Sequence, residues 1–363
     1  MPALARLAAL IALLAVASPV QAADLTPLDE MPEGWTTLAP GGETMCAMGT
    51  PYSFHVRPGA RDRVMIFLNG GGACWTGDHC DPSVDPTTYV PSADMPHNDP
   101  RTRKGAFDTA NPENPFSEWS QVFVSYCTGD VHLGARDTTY TKRDGSEVTI
   151  RHRGKANVQA AFDWVTENFA GPDRILVGGG SAGAMSSAYW AGVVQDAYPQ
   201  SDVIQFAGGG GGYRTAPPVA LFEAWGTFEG LRDWPEFSSL DPSSAAYEDF
   251  YRVSAARYPQ MRFHQFNTAY DAVQEQFVNL LGGTEELYPL LKANLDDLAA
   301  EIPTFRSFTA AGEFHTLLRF DEFYSFEAGG VRAVDWVHAL ANGETVETVT
   351  CAADAQGCRG AAD

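Results

Sequence analysis

The chain has 363 residues, 44% of them hydrophobic and 19% charged, with 46 acidic against 24 basic side chains and a net charge of −22. An acidic balance of that size argues against a phosphate-binding face, so nucleic acid is not an expected partner, and a uniformly anionic polymer would be repelled unless a local basic patch received it. Length and composition fit one folded α/β domain, and no repeat of 20–50 residues suggests a solenoid or propeller.

In chain order, residues 1–22 read as a secretory signal peptide. Arg6 supplies the positive start, Leu7–Val16 the apolar core, and "VQA" ending at Ala22 the small-residue cleavage site. The apolar run is shorter than the roughly 20 residues that span a bilayer, and no later segment qualifies. A soluble, monomeric protein, secreted or periplasmic, is expected, with a charge of about −23 once Arg6 is gone. Six cysteines suit an oxidising compartment. Proximity pairs Cys351 with Cys358 and Cys74 with Cys80, leaving Cys46 for Cys127, one of fifteen possible connectivities. There is no C-x-x-C redox pair, and metal ligation by these cysteines is not expected.

Short β-branched and aromatic runs then alternate with helical patterns, which predicts a largely parallel sheet with crossover helices. The predicted strands are Tyr52–Val56, Arg63–Asn69, Gln121–Tyr126, Arg174–Gly178, Asp202–Gly208, Arg262–Asn267 and Phe305–Ala310. A helix carries Val158, Ala161, Phe162, Val165 and Phe169 on one face. Another follows at "VRAVDWVHALANGE", stopped by Asn342 and Gly343. Residues 213–260 turn aromatic and acidic, with Phe222, Trp225, Phe228, Trp234 and Phe237, and read as a helical insertion, or lid, over the sheet's C-terminal edge.

One serine stands among glycines in "RILVGGGSAGAM". Gly179–Gly183 fit G-x-S-x-G, the elbow that presents a nucleophile on a strained strand-to-helix turn, where neighbours must be small. A strand ends at Gly178 and "AGAMSSAYWAGVVQDA" continues as a helix, whose N-terminus favours developing negative charge. No Lys, Arg or G-K-S accompanies the turn, so a phosphate loop is excluded. Ser181 is therefore the candidate nucleophile.

Such a serine needs a base and an acid, which in α/β hydrolases follow in the order Ser, acid, His. His315, in "TAAGEFHTLL" after the last predicted strand, is the candidate base. His264 lies in a strand and His338 in the last helix, whereas His55, His79, His97, His132 and His152 all precede the serine. Asp271, four residues past Asn267, is the candidate acid, with Asp296, Asp297 and Asp321 as rivals. The loop "FLNGGGACW" after an early strand offers backbone N–H groups to an oxyanion: Gly70 and Gly71, with Gly72 possible, together with Ala182.

The segments "FLNGGGACWTGDHC", "VSYCTGDVHLG", "LVGGGSAGAM", "FNTAYDAVQ" and "GEFHTLL" together resemble the pectin acetylesterase and Notum family of carboxylesterases, in order and spacing from Cys46 to Cys358. The resemblance implies an α/β-hydrolase fold, a Ser-His-Asp acyl-enzyme mechanism on Ser181, His315 and Asp271, no cofactor, and Trp75 as a pocket wall or a core tryptophan. It also implies an acyl ester as substrate, short-chain and on polysaccharide by analogy. A long-chain O-acyl deacylase, an amide hydrolase and a non-catalytic binding protein are the alternatives. Where the family carries a D-S-G segment this chain has the glycine run Gly208–Gly212, which leaves pocket shape open. Asp130 and His132 in "GDVHLG" do not by themselves make a metal site.

Overall fold

The computed structural model describes residues 23–84, 87–213, 218–351 and 355–359; the expected signal peptide, residues 1–22, lies outside them. Thirteen strands occur among the described residues. In chain order they are β1 (Thr36–Leu38), β2 (Phe54–Arg57), β3 (Ala60–Leu68), β4 (Trp119–Val124), β5 (Arg136–Thr141), β6 (Glu147–His152), β7 (Arg174–Gly180), β8 (Asp202–Gly208), β9 (Arg262–Thr268), β10 (Phe305–Ala310), β11 (Glu327–Ala328), β12 (Val331–Arg332) and β13 (Val349–Thr350). Nine of them form one sheet in the order β1-β2-β4-β3-β7-β8-β9-β10-β13. Every pair from β4 to β13 is parallel, and only β1–β2 and β2–β4 are antiparallel.

Parallel neighbours need crossovers, and helices provide them on both faces. The short α1 (Gly77–Cys80) follows β3. On one face of the sheet lie α2 (Gly154–Asn168), α3 (Ala182–Ala197), α5 (Tyr247–Arg257) and α7 (Leu287–Glu301), whose apolar sides bury Phe162, Trp164, Trp190, Phe250 and Leu298 with Ile66 and Val177 of the sheet. On the other, α8 (Ala333–Ala341) packs Trp336 and Leu340 against Phe67, Phe206 and Phe308. The central strands are buried on both sides, which is why they read as apolar runs rather than alternations.

Strand centres fall where predicted, with ends moved by up to three residues. The chain from 136 to 152, unassigned from sequence, is the β5–β6 hairpin. The aromatic segment after β8 is helical, as α4 (Val219–Trp225), a 3-10 turn (Pro235–Ser239) and α5. Its aromatics Phe222, Trp225 and Trp234 belong to the main core. Its last part, α5, is the crossover from β8 to β9 packed beside α3, a role not assigned to it from sequence. Residues 214–217 within it lie outside the described set. Three disulfides join Cys46 to Cys127, Cys74 to Cys80 and Cys351 to Cys358.

Candidate active site

The site forms where β3, β7 and β9 end at one edge of the sheet. β7 runs into α3 through Ser181, held at φ 54°, ψ −122°. A non-glycine residue with positive φ is strained, and only four occur among the described residues: Val131, His132, Ser181 and Thr316. Three of these segments border this site. The turn closes tightly because its neighbours lack side chains. A Cβ on Gly70 would lie 2.5 Å from the Gly180 carbonyl and 2.7 Å from the Ser181 Cβ, and one on Gly183 would overlap the Leu68 carbonyl. The Ser181 N–H donates to the Gly208 carbonyl at 2.8 Å, tying the elbow to β8.

Asp271 ends the loop after β9 and is fully buried. Its Oδ1 caps α6 (Ala272–Leu280), accepting from Val273 N and Gln274 N at 3.0 Å each, while its Oδ2 accepts from His315 Nδ1 at 2.6 Å. The bond fixes the imidazole tautomer, so His315 Nε2 is the free ring atom. That nitrogen is buried without a protein partner. His315 and Ser181 line the same cleft, and a buried ring nitrogen without a partner has its lone pair free to accept a proton. Asp296 is exposed and paired with Lys292, Asp297 lies on the same helix α7, and Asp321 is exposed in a 3-10 turn. His264 is buried in β9 with its Nδ1 on the Gln205 carbonyl, and His338 is exposed. None of them is brought to Ser181.

The glycine loop after β3 faces the elbow. Among the described residues the N–H groups of Gly70, Gly71 and Ala182 donate to no protein acceptor, Ala182 because it opens α3. The four carbonyls of residues 69–72 are all engaged. Asn69 O accepts from His132 Nε2 at 2.8 Å, Gly70 O from His97 Nε2 at 2.9 Å, Gly71 O from Val90 N at 2.8 Å and Gly72 O from the Tyr126 hydroxyl at 2.8 Å.

Two hollows meet at Ser181. One is small and apolar, a cavity of about 30 Å³ walled by Trp75, Val131, Ala182, Met185, Leu221 and Tyr247. Trp75 is thus a wall residue, half-buried with its ring against His79. Gly72 borders both hollows. The other is an open cleft of about 310 Å³ bordered by Thr88, Val90, His97, Gln276, His315 and Arg319.

The Gly208–Gly212 run backs the site. Gly208 receives the Ser181 N–H, a Cβ on Gly209 would press on the His315 ring at 3.2 Å, and Gly212 N bonds Asn294 Oδ1 at 2.8 Å. Asp130 uses its oxygens on the chain's own donors, Oδ1 on Thr128 Oγ1 and His132 N and Oδ2 on Gly154 N. Burial raises its pKa to about 6. The cluster of Cys74, Cys80 and His152 holds its two sulfurs in a disulfide.

Sequence reasoning missed the residues that hold this loop: Asn69, His97, Tyr126 and Arg319, and the backbone role of His132. The sequence profile of the pectinacetylesterase family matches residues 36–292. Mouse and human palmitoleoyl-protein carboxylesterase Notum are 30% and 29% identical over 145 residues, which is 38% of this chain and 27% of the length of those relatives.

Proposed function

We propose that this chain, which belongs to the pectinacetylesterase family, is an exported serine carboxylesterase that removes short acyl groups, acetyl first among them, from alcohol oxygens. The observation that carries the reading is the buried Asp271–His315 pair, whose unpartnered Nε2 belongs to the cleft that the strained Ser181 also lines. His315 Nε2 takes the hydroxyl proton as Ser181 Oγ attacks the ester carbonyl carbon. The resulting oxyanion lies against the N–H groups of Gly70, Gly71 and Ala182. The carbon–oxygen bond to the alcohol then breaks, His315 returns the proton to that oxygen, and water hydrolyses the acyl-enzyme by the same steps.

The two hollows divide the ester. His315 borders the open cleft, so the alcohol leaves on that side, where the space suits a sugar unit of a polysaccharide. The acyl group then points into the apolar cavity, whose small free space favours a short acyl group over a long one. Leu221 and Tyr247, from the segment following β8, close that cavity as a lid would. A fatty-acyl substrate, as the name of the Notum relatives states for them, would need this wall to open. Three disulfides support an oxidising compartment, and no described helix is long and apolar enough to cross a membrane.

Hydrolysis of p-nitrophenyl esters from two to sixteen carbons, with Ser181→Ala as control, tests the reading. Turnover peaking at acetate and lost in the variant is expected. A peak at long chains would overturn the short-acyl assignment, and absence of Ser181-dependent turnover at every length would overturn the esterase reading in favour of a binding protein.

A further inference from the structure

A trans peptide is planar, with its carbonyl and the following N–H pointing in opposite directions. Whatever grips the carbonyl of residue i therefore aims the N–H of residue i+1. The peptide joining Asn69 to Gly70 is gripped by His132 Nε2 on its carbonyl, and the peptide joining Gly70 to Gly71 by His97 Nε2 on its carbonyl. The N–H groups aimed by these two grips are those of Gly70 and Gly71, neither of which donates within the protein. Glycine peptides have low rotational barriers in φ and ψ, so without such grips this loop would sample flipped peptides that turn a carbonyl toward the developing oxyanion.

We propose that His132 and His97 are a pair of positioning residues, each fixing one peptide plane of the glycine loop so that the N–H of Gly70 and the N–H of Gly71 are preset toward the oxyanion. The proposal rests on the esterase reading above and adds to it two histidines that act through the loop's backbone, His97 from the border of the open cleft and His132 from behind the loop. The backbone that carries each ring is itself held.

His132 sits in a strained turn, with φ 49° at Val131 and 63° at His132. Its own N–H bonds Asp130 Oδ1 at 3.1 Å, and its carbonyl accepts from Trp190 Nε1 at 3.2 Å. Val131 N donates to the Tyr126 hydroxyl at 3.0 Å, and that hydroxyl in turn donates to Gly72 O, so one turn steadies two carbonyls of the loop. Strain of this kind persists only where the surroundings over-determine it, and here its product is a ring nitrogen delivered to Asn69 O.

His97 stands on a 3-10 turn (Pro96–Asn98) anchored by Asn98, whose amide bonds Ser92 O at 3.0 Å and Tyr126 O at 2.9 Å and whose Oδ1 accepts from Asn69 Nδ2 at 2.9 Å. Arg319, buried, donates through Nη1 to Asn69 Oδ1 at 2.7 Å and lies 3.2 Å from His97 Nε2. The guanidinium thus ties the strand end to the segment after His315; burial first, and this positive charge beside the ring second, favour neutral His97. The grip requires a proton on Nε2, which the Nε2–H tautomer of the neutral ring supplies to Gly70 O.

The test is steady-state kinetics on a short-chain p-nitrophenyl ester for wild type, Ser181→Ala, His97→Phe, His97→Gln and His132→Phe, with melting temperatures taken in parallel. His97→Phe keeps the ring volume and removes the donor, whereas His97→Gln keeps a donor. Loss of one oxyanion-hole donor costs about 10²–10³ in kcat, and a donor that is released rather than removed costs less. We expect His97→Phe to lower kcat about 10- to 100-fold with KM changed less than threefold, and His97→Gln to recover part of the loss. Binding of a boronic acid that mimics the tetrahedral adduct should weaken in step with kcat/KM. A folded His97→Phe with kcat within twofold of wild type, or with the whole loss in KM, overturns the proposal while Ser181-dependent turnover of the wild type stands. If His132→Phe does not fold, the His97 pair of variants alone decides. Absence of Ser181-dependent turnover in the wild type would instead overturn the esterase reading, and this proposal with it.

Discussion

Asp271 performs two tasks with one carboxylate: Oδ1 caps α6 through two backbone N–H groups, and Oδ2 orients His315. The division permits a clean substitution. In Asp271→Asn the amide oxygen can keep the cap, whereas an amide facing His315 cannot accept the Nδ1 proton and leaves the imidazole in the wrong tautomer. We predict that kcat falls by about 10⁴ with the melting temperature little changed, as measured by ester hydrolysis and calorimetry. A variant with kcat within tenfold of wild type would remove Asp271 from the mechanism. Ser181, Asp271 and His315 could be proposed from sequence because chain order and small-residue spacing are local properties of sequence, and the structure joins Asp271 to His315 and sets His315 on the cleft lined by Ser181. His97, His132 and Arg319 were not, because their partners are an asparagine and backbone carbonyls brought close only by folding, and a backbone carbonyl leaves no mark in sequence. The "GDVHLG" stretch invited a question about metal, yet in the structure its aspartate and histidine hold the chain.

The elements show the same division between local and distant causes. The central strands were readable since burial on both faces selects continuous runs such as "VMIFL" and "ILVG". Their ends were not, because the sheet partner decides where a ladder stops. β1 and β13, of three and two residues, exist only as edge partners of β2 and β10. The β5–β6 hairpin did carry a signal, alternating "TTYT" and "EVTIR" about an Asp144–Gly145 turn, with Gly145 at φ 85°. Its polar composition disguised it, since only Tyr140, Ile150 and His152 are buried. The helix α5 was readable as a helix but not as a crossover, because its aromatic face suits a lid and a core alike.

At the scale of the whole molecule, a highly acidic chain encloses an unusual number of neutral histidines. Burial lowers the pKa of His55, His97, His132 and His152 to about 4, and that of His264 to about 3, while Asp130 is raised to about 6. Unfolding would return these histidines to their ordinary value of 6.5. From pH 6.5 downward the unfolded chain therefore binds protons that the folded chain refuses, and stability falls as pH falls. Asp130 and Glu275, both raised by burial, act with the opposite sign, whereas His79, lowered by burial, adds to the five. We predict a lower urea midpoint at pH 5.5 than at pH 7, an interval in which most carboxylates stay ionised. A midpoint that is flat or higher at pH 5.5 would contradict these assignments of charge. The central claim is that all of this architecture serves one nucleophile. It is tested most directly by treating the folded protein with a fluorophosphonate and mapping the adduct by peptide mass spectrometry. A single adduct on Ser181, absent in Ser181→Ala, is the predicted result; a folded protein that takes no label, or takes it elsewhere, would contradict the account.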